Sequence, residues 1–314
     1  MDNGSPATCP TPRGSFTSQE ALRLGHTRNT LAALVRSGQI TRLARSWYVD
    51  RACYDAASPE QKHAIHTRAV VASFDGRVAA SHYSAMALMG LPVFGADVSQ
   101  VHVTRRLDDH TRRRAGLTMH ATYGTADAYR LVDTTPCVVP ALAVLGTATS
   151  CGVEAGVVAA DAALASGSVT IVELRSWLDR LTRRTHLRWA SRAVELADPR
   201  SESVGESRTR FLLHGVGLSP TPQLVIRDGS GAFVARVDLG FERERVVVEF
   251  DGLVKYAGAT GRQALVAEKL REDRLRDLGY HMVRLTWADL SRPAVVEARV
   301  RHGLARAAAP RRSA

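Results

Sequence analysis

Apolar residues recur along this chain at two periods, about 3.6 and 2, and the changes between them outline its elements. Near the start, Thr17 or Ser18 can cap a helix with Glu20 as a capping-box partner, and Gly25 can end it. Leu31, Leu34 and Val35 then share one helical face, which predicts a helix over Arg28–Ser37 stopped by Gly38. Ile40–Leu43 and Ser46–Val49 read as two short strands joined by a turn. Helix, turn, helix and β-hairpin over 16–58 make a winged helix-turn-helix. On that reading Arg28, Asn29, Thr30 and Arg36 lie on or beside a recognition helix, and Arg42 and Arg45 lie on the wing. Such a helix enters the major groove of DNA while flanking cations hold phosphates. A module of this shape also serves protein binding, and the residues leave both uses open.

The segment 59–200 reads as an α/β middle domain with a helical linker. A helix is predicted over Glu60–Phe74, and an apolar one over Ser81–Val93, closed by Gly90 with Pro92 just beyond. Gln100–Arg106 alternates as a strand and runs into a basic turn. VEAGVVAADAALASG and TIVELRSWLDRLTRR follow as helices. His82, His102 and His120 are far apart in sequence and lack ligand-like spacing, which points to structural histidines rather than a metal site.

The last third changes character. A capped helix over Ser201–His214 precedes strands at Gln223–Asp228, Phe233–Phe241 and through RVVVEFDG. A charged amphipathic helix over Arg262–Gly279 and a final strand, His281–Leu290, complete an α-β-β-β-α-β order across 201–291, before a basic tail at 292–314. The fold class is therefore mixed α/β, of the α+β kind.

Composition adds limits. Of 314 residues, 45% are hydrophobic and 23% charged, which is ordinary for a globular protein. No apolar run approaches the roughly 20 residues needed to span a bilayer. Residues 1–15 read as a disordered leader without a secretory pattern, and Cys9, Cys53, Cys137 and Cys151 have no paired spacing. Together these predict a cytoplasmic protein. The net charge of +11 is uneven: 16 basic against 11 acidic residues over 1–135, 13 against 13 over 201–290, and 6 against 1 over 291–314. The excess lies at the front and in the tail, a pattern that leans toward an N-terminal nucleic-acid contact without establishing one.

The chemistry-bearing stretch is Arg245–Tyr256, RVVVEFDGLVKY. Alternation places Glu249 and Asp251 side by side on one face of a strand, and antiparallel pairing brings Asp238 opposite them. Three neighbouring carboxylates repel unless something neutralises them. One solution is Mg²⁺, which takes hard oxygen ligands and activates a water for attack on a phosphodiester. The other is a set of ion pairs with Arg243, Arg245, Arg271 and Arg274. Lys255, in a chain whose other lysines are Lys62 and Lys269, offers a compact amine four residues past Asp251. The carboxylates alone leave both solutions open.

SESVGES at 201–207, VD at 237–238, VVEFDG at 247–252, Lys255–Tyr256, EKLREDRLRDLGY and VRLTW together resemble the nuclease-like domain related to very short patch repair endonucleases, within the PD-(D/E)xK superfamily. Residues 16–50 and SAMALMGLP resemble an AbiEi-type antitoxin, a winged helix followed by an α/β domain. The resemblance implies a restriction-endonuclease-like fold over 201–291, Mg²⁺ held by Asp238 and Glu249, and Glu206 as a further acidic ligand or its support. It also implies DNA as substrate and Lys255 as the water-orienting base. Where the superfamily's plain pattern has lysine two positions beyond the second acid, this chain has Asp251. Two functions follow: a Mg²⁺-dependent endonuclease of defence or repair, or a non-catalytic antitoxin and transcriptional regulator with a cognate toxin protein as partner.

Overall fold

The computed structural model describes residues 15–44, 46–108, 110–181, 185–252 and 259–308. The chain forms two compact units, residues 1–159 with 168–194 and residues 160–167 with 195–314. Both are mixed α/β.

The first unit opens with β1 (Ser15–Thr17), α1 (Ser18–Arg23), α2 (Arg28–Arg36), β2 (Ile40–Ala44) and β3 (Trp47–Asp50). Thr17 caps α1 in a reciprocal pair with Glu20, and Thr27 caps α2 with Thr30, satisfying amides that a helix start leaves without partners. The strands pair antiparallel in the order β1-β3-β2. Phe16, Ala21, Leu31 and Ile40 form a small core. The first strand has no counterpart in the sequence reading, because three residues carry too little period to register.

Next come α3 (Arg51–Ala56), α4 (Pro59–Ala72), β4 (Val78–Ala80), α5 (His82–Leu88), β5 (Val101–Arg105), β6 (Arg112–Arg114), β7 (Leu117–His120), β8 (Tyr129–Val132) and β9 (Thr135–Val138). The strands β4–β9 form one mixed sheet, ordered β6-β7-β5-β4-β9-β8. Two strong apolar helices follow, α6 (Pro140–Cys151) and α7 (Val153–Ala165), then α8 (Ile171–Arg180) and α9 (Leu187–Leu196). The α5 helix ends seven residues into the predicted Ser81–Val93 span, at Leu88, where Gly90 with φ of 72° turns the chain.

The second unit contains α10 (Val204–Gly215), β10 (Thr221–Arg227), β11 (Phe233–Phe241), β12 (Val246–Asp251), α11 (Ala259–Asp277) and β13 (His281–Thr286). Its sheet runs β10-β11-β12-β13, antiparallel except for the parallel β12–β13 pair. That parallel pair needs the α11 crossover, as the α-β-β-β-α-β order anticipated. Past Thr286 the chain turns into α12 (Trp287–Leu290) rather than continuing as strand. Much of the segment expected as a basic tail is α13 (Pro293–Ala308), with Val296 and Val300 buried. Its arginines point outward, so basic composition masked an amphipathic helix.

Two cores sandwich this sheet. Leu213, Leu239, Val246, Val248, Leu285, Val296 and Val300 pack on one face. Ala235, Val237, Val247 and Leu275 pack on the other. Among the described residues no helix is long and apolar enough to cross a membrane.

Candidate functional site

Glu206, Asp238 and Glu249 come from a helix, α10, and two neighbouring strands, β11 and β12, of the second unit. Ser203 caps α10 by accepting from the Glu206 backbone N–H, which fixes Glu206 in the first turn. Gly205 lets that turn approach β12: a Cβ there would stand 2.1 Å from the Phe250 ring. We expect Gly205→Ala to cost about 1–3 kcal/mol through overpacking, measured by chemical unfolding, and to displace Glu206 with the helix.

The strand β11 changes faces at Asp238. Val237 belongs to the core with Leu275, whereas Leu239 belongs to the opposite core. The ladder to β10 passes from Leu224–Val237 to Pro222–Leu239, and Gln223 between them has φ of 51°. A glutamine in the left-handed region is strained, a feature that collects at functional positions. Its side-chain amide donates to Glu206 Oε2 at 2.8 Å, and the Glu202 backbone N–H donates to the same oxygen at 3.0 Å. Glu206 is 8% exposed.

On the other side Leu239 pairs with Val248, so Asp238 lies level with Glu249 one step along. Asp238 Oδ2 accepts the Phe250 backbone N–H at 2.9 Å. Burial pushes the Asp238 carboxyl up to about 6; Glu206 and Glu249 add to the rise, while the Phe250 N–H and Arg271 oppose it.

Glu249 is differently treated. Arg271, on α11, grips it through both terminal nitrogens at 2.6 and 2.9 Å. The same guanidinium holds Glu268 at 2.7 and 2.9 Å. Arg284, level with Glu249 on β13, pairs with Glu268 and Glu272. Of the arginines offered by sequence as neutralisers, Arg271 takes this role; Arg245 instead donates to the Leu278 carbonyl at 3.0 Å. Asp251 sits exposed at the end of β12, level with Thr286. Lys255 lies outside the described residues, and Lys269 is exposed on α11. The structure therefore places Glu206, Asp238 and Glu249 near one another, sets Asp251 at the rim, and gives Glu249 the arginine partner that was one of the two solutions posed by the sequence.

In the first unit Arg28, Asn29 and Thr30 are exposed at the start of α2 and Arg36 at its end. Arg42 is exposed on β2, its Nε donating to the Ala44 carbonyl at 3.3 Å; Arg45 lies outside the described residues. The Thr30 hydroxyl is engaged by Thr27, accepting its N–H at 2.7 Å and donating to its carbonyl at 2.8 Å, so this side chain builds the helix start.

His82, His102 and His120, read from the sequence as structural histidines, lie close together in space. Separated along the chain, they meet in the fold, with ligand atoms all within 4.8 Å of one another. The β5–β7 register pairs His102 with Thr118 and Thr104 with His120, placing both histidines on one sheet face. Among the described residues they are the group whose nitrogens or oxygens converge this closely; the carboxylates above do not. The legible signal was the polar side chain at alternate positions inside two apolar strands, VHVT and LTMH.

No family model matches the chain. It is similar to two uncharacterized proteins of Mycobacterium tuberculosis, from strains CDC 1551 / Oshkosh and ATCC 25618 / H37Rv, each 26% identical over 285 residues that cover 90% of this chain and 98% of theirs.

Proposed function

We propose that this is a DNA-binding protein whose second unit is a nuclease-like domain of the PD-(D/E)xK kind, hydrolysing phosphodiester bonds with Mg²⁺ in defence or repair. The observation that carries the reading is that Glu206, Asp238 and Glu249, from α10, β11 and β12, lie near enough for Glu206 and Glu249 to raise the Asp238 carboxyl, beside the left-handed Gln223. Hard carboxylate oxygens are the donors Mg²⁺ takes, and Asp238 and Glu206 are the acids not paired with Arg271. When bound there, the ion would lower the pKa of a coordinated water and offset charge building on the phosphate. Glu249 and Glu268 hold Arg271 beside the acids, where its positive charge faces the position a phosphate would take. Arg28, Arg36 and Arg42 supply the phosphate contacts of a winged-helix module in the first unit.

The test is supercoiled plasmid incubated with the full chain and Mg²⁺. Wild type relaxes or linearises it and Asp238→Ala does not; equal cleavage by both sinks the enzymatic reading. For the DNA contact, Arg36→Ala and Arg42→Ala each lower the slope of log affinity against log salt by about 0.9. An unchanged slope in both moves the contact elsewhere.

A second reading has its own support in the bidentate Arg271–Glu249 pair and in Asp251 standing where the superfamily has lysine. It makes the chain a non-catalytic regulator of antitoxin type, with a cognate toxin protein as partner. Sequence-specific binding to its own promoter without Mg²⁺-dependent cleavage would favour it.

A further inference from the structure

We propose that His82, His102 and His120 form a binding site for a borderline divalent transition metal, of which Zn²⁺ is the representative, in the first unit. The site is independent of the carboxylates in the second unit and of the function proposed for them.

The three rings come from three elements that the sheet brings together: the first residue of α5, the second residue of β5 and the last of β7. His120 Nε2 lies 3.0 Å from His102 Nδ1. The His82 and His120 rings stack with centroids 3.7 Å apart, and His102 lies 5.1 and 4.9 Å from them. Each neutral imidazole carries one lone pair in its plane. Three of them packed together, two of them buried, cannot all be protonated without a large desolvation and repulsion cost. The His102–His120 contact is at hydrogen-bond distance, and a divalent cation replacing its proton would draw three in-plane lone pairs once the stacked His82 and His120 rings rotate apart. Imidazole nitrogen is the donor that zinc, copper and nickel favour.

The surroundings are built to hold the rings. His82 Nδ1 lies 3.0 Å from Ser81 Oγ, which is fully buried. That contact engages Nδ1 in the way the outer partners of zinc-bound histidines do. His82 has φ of 55°, a left-handed conformation unfavourable for a side chain of this size. Gly146 on α6 makes room for it: a Cβ there would stand 2.8 Å from His82 Cγ. The backbone of His102 is held from behind, its N–H donating to Ser84 Oγ at 2.8 Å, with that hydroxyl bonded to His63 Nε2 at 2.8 Å. Strain at one ligand, a glycine cleared for its ring and a two-layer support exceed what three core histidines need for packing.

All three rings line one cavity of about 780 Å³, which gives an ion a route from solvent and room for a fourth ligand. Three protein ligands with an open fourth position is the donor count of a reactive zinc centre rather than a closed structural one. Arg113 lines the same cavity and repels a bare cation, which favours an anionic fourth ligand.

The experiment is calorimetric titration of the chelator-treated full chain with Zn²⁺, with Mg²⁺ in excess so that any carboxylate site is already filled. One equivalent binds to wild type and to Asp238→Ala. Binding is lost in His102→Ala and in His120→Ala, and weakens roughly 10–100-fold in Ser81→Ala. Because a histidine variant can lose its fold, imidazole NMR of the wild type is read in parallel. On Zn²⁺ addition the resonances of His82, His102 and His120 shift, and those of His281 and His302 in the second unit do not. Unchanged resonances of the three, or stoichiometry that survives in folded His102→Ala, would mean adventitious surface binding and overturn the site.

Discussion

Asp161→Ala lowers the stability of the second unit by about 3–5 kcal/mol, a loss read as a shift of its transition in chemical unfolding. Asp161 and Arg210 are 1% and 3% exposed and meet at 2.7 Å. Burial pushes the Asp161 carboxyl up, and Arg210 with the Asp198 N–H, which donates at 2.7 Å, works against that rise. Arg210 in turn donates to the Leu196 carbonyl at 2.6 Å. Removing the acid leaves a guanidinium without its counter-charge in a site nearly closed to water, which is why the cost exceeds that of an exposed pair. Replacing both partners, as Asp161→Leu with Arg210→Met, recovers much of the loss, since neither charge is then stranded. If the single and double variants unfold together, the pair is not what holds α10. The consequence reaches the candidate site, because α10 carries Glu206 one turn before Arg210.

The chain announced its elements where period and punctuation agree. Phe233–Phe241 was read to the residue, and the Thr17–Glu20 box was visible as a spacing. What it hid depends on partners distant in sequence. Nothing in QLVIRD signals that Gln223 takes a left-handed backbone, because the kink is shared with Asp238 on the neighbouring strand. Arg271 was one arginine among four candidates, and only the crossover of α11 against β12 selects it for Glu249. The proximity of the histidines was hidden for the same reason. Linear spacing shows which side chains meet only when they share an element, whereas parallel pairing of β5 with β7 joins residues eighteen apart.

Asp238→Asn separates a cation site from a merely buried acid, and it does so with two opposite signs. The Asp238 carboxyl rises from 3.8 to about 6 in the folded chain. The folded state therefore binds the proton more tightly than the unfolded one, so its stabilising share is complete below about pH 4 and is lost as pH rises through about 6. At neutral pH the ionised group is a net burden, and Asp238→Asn stabilises the metal-free protein by about 1–2 kcal/mol after allowance for partial exposure. The variant's unfolding free energy also varies less than wild type's between pH 4 and 6. On the proposed function Mg²⁺ reverses the ranking: bound to the ionised carboxylate, it would raise the wild-type melting temperature and leave that of Asp238→Asn unmoved. On the same proposal, several kcal/mol of transition-state stabilisation lost with the ion would correspond to a cleavage rate lower by on the order of a thousandfold. A wild type that melts at the same temperature with and without Mg²⁺, and an Asn variant less stable at neutral pH, would instead make Asp238 an ordinary structural cap on the Phe250 amide.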